Sequence, residues 1–195
     1  MFTLLSTATH EQEIKRSRFL AAAGPVADEQ AARNFVTEHS IAGANHNCWA
    51  WRVGQTYRFS DDGEPGGTAG KPILQAIDGH DLDGIAVVVT RWFGGILLGS
   101  GGLVRAYGGT AALCLQDAAK VRIVPAEEIT MGVSFSDLAL LKARLLTHPD
   151  VHLTDESFTH TGAVLTLSLP QADLEDIFAM VRDLTSGRVS IGRQA

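Results

Sequence analysis

An α+β protein of two domains, residues 1–125 and 126–195, is predicted by three features of the chain. The second part alternates strand-like and helical runs in the order βαββαβ. The first part joins its clearest strand, Ile85 to Trp92, to a long helix through a glycine-rich turn. Between them stands a Val-Pro pair, Val124-Pro125, where the residue before proline is biased away from helix.

In the first domain, Ile14 to Val26 predicts an initial strand or hairpin, and Asp28 is placed to cap a helix running to about His39. Cys48 to Val53 and Thr56 to Phe59 read as strands joined near Gly54-Gln55. The loop DDGEPGGTAGKP, Asp61 to Pro72, follows and leads to a short helix near Ile73 to Ile77. After the Ile85 strand, FGGILLGSGG opens a helix from about Leu103 to Ala119. Trp49 and Trp51 share one face of their strand, where core packing is the default for aromatic rings.

In the second domain, Ile129 to Phe135 is strand-like. Ser136 to Thr147 then repeats apolar residues at Leu138, Leu141 and Leu145 and ends at His148-Pro149-Asp150. Val151 to Thr159 and Ala163 to Leu169 turn at His160-Thr161-Gly162. Pro170 starts a helix whose apolar face is Leu174, Ile177, Phe178, Val181 and Leu184, Gly187 stops it, and Arg188 to Ile191 is a last strand. This is a split βαβ of ferredoxin type.

Apolar residues at 45% and charged residues at 19% of 195 predict a packed globular chain, not a disordered one. The longest apolar run, Ile85 to Val89, is far too short to span a bilayer. The first residues lack the basic region of a secretory signal, so the mature chain is expected to begin here, in the cytoplasm. Cys48 and Cys114 form neither a disulfide framework nor a zinc site. The net charge of −6 argues against a general nucleic-acid coat. It is uneven, with 11 basic and 12 acidic residues up to 125 and 5 and 10 beyond.

The glycine turn carries the first candidate chemistry. A helix N-terminus presents unpaired N–H groups, Gly99, Ser100, Gly101 and Gly102 leave room for an anion, and Arg91 and Arg105 stand where they can add charge-assisted bonds. Neither a dinucleotide fingerprint nor a P-loop is met, because Val104 occupies the third glycine position and Pro72 follows Lys71. Glycine turns also serve bare strand-to-helix packing. Asp61, Asp62 and Glu64 lack the spacing of a calcium loop and are expected to make turns and pair with Arg58, Arg91 or Arg105. His46 and Cys48 share a strand face without an orienting carboxylate, and the cysteine reads as a small core hydrophobe. Lys15, Arg16 and Arg18 read as a solvated edge.

Taken together, DDGEPGGTAGKP, VVVTRWFGG and LGSGGLVRAYGG, with HNCWAWR upstream, closely resemble the motifs of the IMPACT family over Asn45 to about Ala119. The two-domain layout resembles its bacterial YigZ-type members. Gly66 stands where many members carry serine, and Trp51 where tyrosine is common. The resemblance implies a ribosomal-protein domain-2-like α/β fold followed by a domain similar to a ferredoxin-like domain of elongation factor G. Eukaryotic members restrain a translation-controlling kinase by competing for its ribosome-bound activator. They do so with an additional N-terminal domain, so the kinase partner is not carried over.

The resulting expectation is a non-enzymatic binding protein that regulates translation through RNA, the ribosome or a translation-associated protein, with no cofactor and no bound metal. Its binding residues are Arg58, Lys71, Arg91, Gly99, Ser100, Gly101, Gly102 and Arg105. His46, Asp61, Asp62, Glu64 and Thr68 form the supporting loop. The alternative is a phosphate- or nucleotide-binding enzyme using residues 99–102, since the implied first fold is shared with small-molecule kinases.

Overall fold

The strand expected at Ile85 is the centre of the first unit's sheet. A computed structural model describes residues 1–193 and divides the chain into two units, Met1–Ile123 and the residues from Val124. The first unit holds β1 (Phe2–Leu4), β2 (Ala8–Ile14), β3 (Ser17–Pro25), α1 (Glu29–His39), β4 (His46–Val53), β5 (Thr56–Ser60), α2 (Gly70–Gly79), β6 (Ile85–Trp92), α3 (Ser100–Asp117) and β7 (Lys120–Arg122). Its main sheet has the order β2-β3-β6-β4-β5, and every pairing is antiparallel.

β6 opens on the unbroken apolar run Ile85 to Val89 because both faces of the sheet are covered. On one face Phe19, Ala21, Cys48, Val87 and Val89 pack against Ile73 and Ile77 of α2 and Leu103, Tyr107 and Leu115 of α3. On the other, Trp51, Ala86 and Val88 pack against Ala32 and Phe35 of α1. Each such large apolar side chain contributes about 1.5–3 kcal/mol by leaving water. Asp28 caps α1 as the sequence predicts, its carboxylate accepting the Ala31 N–H at 2.7 Å. α2 begins at Gly70, where a Cβ would lie 2.6 Å from the Ser60 carbonyl oxygen, so only glycine lets the helix start against the end of β5. Both helices depart from their predicted bounds. α2 runs on to Gly79, beyond the five residues expected, and α3 starts three residues early, within the glycine turn. The short β1–β7 ribbon was not expected, since three-residue strands carry no periodic pattern.

The second unit holds β8 (Ala126–Ser134), α4 (Phe135–Leu145), β9 (His152–Phe158), β10 (Gly162–Pro170), α5 (Leu174–Leu184) and β11 (Ser190–Arg193), in the sheet order β11-β8-β10-β9, antiparallel throughout. β8 and β10 alternate buried and half-buried residues because only one face is packed, with Ile129, Met131, Leu165 and Leu167 against Leu141, Leu145, Ile177 and Phe178. Pro170 ends β10 and does not start the helix. A 3-10 turn, Gln171–Asp173, intervenes before α5. α5 ends at Leu184, and the turn that closes it runs to the Gly187 the sequence places as its stop, whose φ is +76° and whose N–H returns to the Arg182 carbonyl at 2.8 Å, with Ser186 before it also left-handed at φ +50°. Among the described residues no helix is long and apolar enough to cross a membrane.

Candidate functional site

The acidic loop between β5 and α2 is held together by its own backbone. Asp61 accepts three N–H groups, from Gly67 at 2.8 Å, Ala69 at 2.9 Å and Gly70 at 2.8 Å, and so does the work of a cap for α2, which has no side-chain cap at Ala69. Partial burial alone would raise the Asp61 carboxyl. The three N–H donors outweigh it and hold the group below its ordinary value. Asp62 accepts the Asn47 N–H at 2.6 Å, and its carbonyl accepts Nδ1–H of His46 at 2.7 Å, which fixes that ring's tautomer when neutral. The Thr68 hydroxyl donates to the Pro65 carbonyl at 2.6 Å. With Asp61 and Asp62 so engaged, the acids that a kinase-like reading requires for magnesium are spent on the fold.

Glu64 turns the other way, into the protein. Its Oε1 accepts from Arg91 Nη1 at 2.6 Å and from the Tyr107 hydroxyl at 2.7 Å, and the Glu64 and Arg91 side chains are only 4% and 6% exposed. Arg91 Nη2 also reaches the Ser17 hydroxyl at 3.3 Å, and the guanidinium lies between the rings of Phe19 and Phe93 at 5.5 and 5.4 Å. His46 Nε2 approaches Glu64 Oε1 at 3.9 Å. Arg91 Nε is buried without a partner. The sequence expectation that Arg91 offers its charge to a phosphate therefore needs correction: the charge is consumed inside the protein, and the residue positions the strands and loop around it.

Above this pair opens a cleft of about 420 Å³ bounded by His46, Glu64, Arg91, Phe93, Leu97 and Ser100. The DDGEPGG loop and the glycine turn form its opposite walls, and the uncapped N-terminus of α3, at Gly99 with φ +71°, stands at its edge. Gly102 serves packing, since a Cβ there would meet Leu98 at 2.9 Å, whereas Gly101 lies open beside Arg105 Nη1, 3.6 Å from its own would-be Cβ.

The remaining predicted cations are spread apart. Arg58 points to the α1 side and pairs with Glu29 at 3.3 Å. Lys71 lies in a separate groove with Arg52, Tyr57 and Phe59. Ser17, Asn45 and Tyr107 were missed by sequence reasoning. The last had a legible signal, because a tyrosine on an apolar helix face needs a buried partner for its hydroxyl. Cys48 is wholly buried, donates to the Asp61 carbonyl at 3.0 Å, and burial pushes its thiol up to about 12, which removes it as a nucleophile at neutral pH. Among the described residues no group of three or more His, Cys, Asp or Glu is placed to hold a metal ion.

Fold and site together define a two-unit α+β protein whose motif-bearing residues build a cleft over a buried ion pair. The chain belongs to the IMPACT family. Residues 15–115 match the Impact N-terminal domain and residues 132–188 a domain of unknown function, DUF1949. The chain is 42% identical to the IMPACT family member in the pol 5′ region of Thermus thermophilus, over 90% of this chain and 97% of that one. It is 36% identical to IMPACT family member YigZ of Escherichia coli, over 92% and 91%. Protein IMPACT of Xenopus laevis is 37% identical over 44% of this chain and 30% of its own length. A solved structure described as a hypothetical protein superposes with a TM-score of 0.70 at 34% identity, covering 100% of this chain and 97% of that one.

Proposed function

We propose that this is a cytoplasmic binding protein that regulates translation through contact of its first unit with RNA, the ribosome or a translation-associated protein. The first unit is read as a ribosomal-protein domain-2-like fold and the second as similar to a ferredoxin-like domain of elongation factor G. The observation that carries the proposal is the inward use of the site's reactive groups. Asp61, Asp62, Glu64 and Arg91 are all engaged by the fold, so what the cleft presents is a shaped, mostly apolar rim of Phe93, Leu97 and Leu98, suited to docking, while the exposed Lys71 and Arg105 lie outside it. Membership in a family whose eukaryotic proteins are named IMPACT supports the link to translation.

The test is sedimentation with ribosomes over a salt series. Wild type is expected to co-sediment at low salt, and a variant with Arg58, Lys71 and Arg105 all replaced by alanine to release at lower salt, because fewer phosphates are neutralised. Wild type remaining in the supernatant at low salt would refute the proposal.

A second reading, a small-molecule phosphate site at residues 99–102, is favoured by the uncapped α3 N-terminus at the cleft. It predicts that a nucleoside triphosphate raises the melting temperature.

A further inference from the structure

We infer that single-stranded RNA binds at one end of the first unit, its phosphates on Lys15, Arg16 and Arg105 and a base against Phe93. This inference rests on the RNA and ribosome reading above.

The first observation is the β2–β3 turn. Ile14 pairs with Ser17, so Lys15 and Arg16 are its two central residues, and both have left-handed backbone, at φ +47° and +64°. Two-residue hairpins of this kind favour Asn-Gly, and a long side chain at either position is strained. Two adjacent basic residues are held there, outward at a turn tip, and neither makes an ion pair among the described residues. Arg18 is different, because Glu11 takes its charge at 2.6 Å.

The turn is also locked to the loop after β6. A Cβ on Gly94 would lie 1.8 Å from the Arg16 carbonyl oxygen, and the Gly94 N–H donates to Ser17 at 3.2 Å. Phe93, next in the chain, is 45% exposed, and its backbone N–H is held by Asn45 at 2.8 Å. One face of its ring lies against the Arg91 guanidinium, which leaves a stiffly mounted, half-open aromatic surface.

The α3 N-terminus reaches the same end. Cys114 contacts the Ala8 carbonyl and Gln12 donates to Thr110, so α3 runs antiparallel to β2 with its start toward the turn. From Gln12 to the turn is about 10–13 Å of strand, and from Thr110 to the first turns of α3 about 10–15 Å of helix. The two therefore end at one level. Arg105, without an ion pair among the described residues, lies beside Gly101 there.

Charge selects the occupant. From Ile14 to Ala27 and from Gly84 to Gln116, the segments that carry the turn, Phe93 and Arg105, no acidic residue occurs, in a chain of net charge −6; Glu13 flanks the turn, and Asp61, Asp62 and Glu64 across the cleft are engaged by the fold. Exposed cations at one end of the unit, beside an exposed aromatic ring and an apolar cleft, suit a phosphate chain with unstacked bases, which is single-stranded nucleic acid and not duplex.

The decisive experiment uses the full chain and a fluorescent oligouridine RNA of about a dozen nucleotides, with anisotropy read over a salt series. Lys15→Asn with Arg16→Gly installs the favoured turn, so this variant is expected to melt no lower than wild type. Its slope of log affinity against log salt should fall by about 1.4, since each single-strand phosphate contact contributes about 0.7. Phe93→Leu should weaken binding about tenfold with the slope unchanged. A turn variant with wild-type affinity and slope, wild type that does not bind at low salt, or equal preference for a duplex would each overturn the inference. Ribosome co-sedimentation without oligouridine binding would sink this site and leave the translation reading standing. Oligouridine binding without co-sedimentation would do the reverse.

Discussion

Replacing Glu64 with alanine should cost more than any other single polar change in the first unit, and the reason can be worked out contact by contact. Its Oε1 serves Arg91 at 2.6 Å and Tyr107 at 2.7 Å, and the ion pair is almost wholly shielded from water. Removing one partner of a buried pair leaves an uncompensated charge, at about 3–5 kcal/mol. Arg91 is already short of one partner at Nε, so it has little capacity to reorganise. All three tryptophans, Trp49, Trp51 and Trp92, lie in the first unit, so intrinsic fluorescence during urea unfolding reads that unit alone. With a slope of about 1.5–2 kcal/mol per molar, the midpoint should fall by about 2 M. Combining Glu64→Leu with Arg91→Met should recover much of the loss, because the pair's removal takes its desolvation cost with it. A Glu64→Ala midpoint equal to wild type, or a double variant less stable than the single one, would refute the argument.

Acid titration tests the loop. Asp61 is held below its ordinary value in the folded state, so its contribution is present above the unfolded pKa, near 3.8, and is lost as pH falls through the folded one. Asp61→Asn should remove about 2 kcal/mol at neutral pH and flatten the decline below about pH 4, read by fluorescence melts. Cys48, and Cys114 at about 11, should resist iodoacetamide in the native protein at neutral pH and react on unfolding, as counted by mass spectrometry. Gly94→Ala should destabilise by about 1–3 kcal/mol through its clash with Arg16, whereas Gly66→Ser, with nothing within 4 Å, should stay within about 0.5 kcal/mol; chemical denaturation separates the two.

How far the residues alone disclose this molecule depends on whether the deciding interaction is local. Asp28 announces α1, and Gly187 closes the turn that ends α5, because caps and left-handed glycines act within a few residues. The β6 run and the alternation in β8 and β10 disclose which sheet is covered on both faces and which on one, since burial is written in apolar pattern. α2 outran its expected length because Asp61 supplies an N-terminal acceptor from eight and nine residues away, which no helical periodicity contains. The site divides along the same line. Its loops were legible, because the glycines and acids that shape them are contiguous. That these acids pair with an arginine was legible and is realised by Glu64 and Arg91; which of Arg58, Arg91 and Arg105 it would be was not, because Arg91 meets Glu64 across 27 positions and Ser17 across 74. The sequence reads Arg91 as a binding cation and Lys15 as part of a solvated edge. Folding spends the first on a buried carboxylate and leaves the second on a strained turn, so the residue that reads as part of a site becomes scaffold and the one that reads as a solvated edge becomes the better candidate for contact.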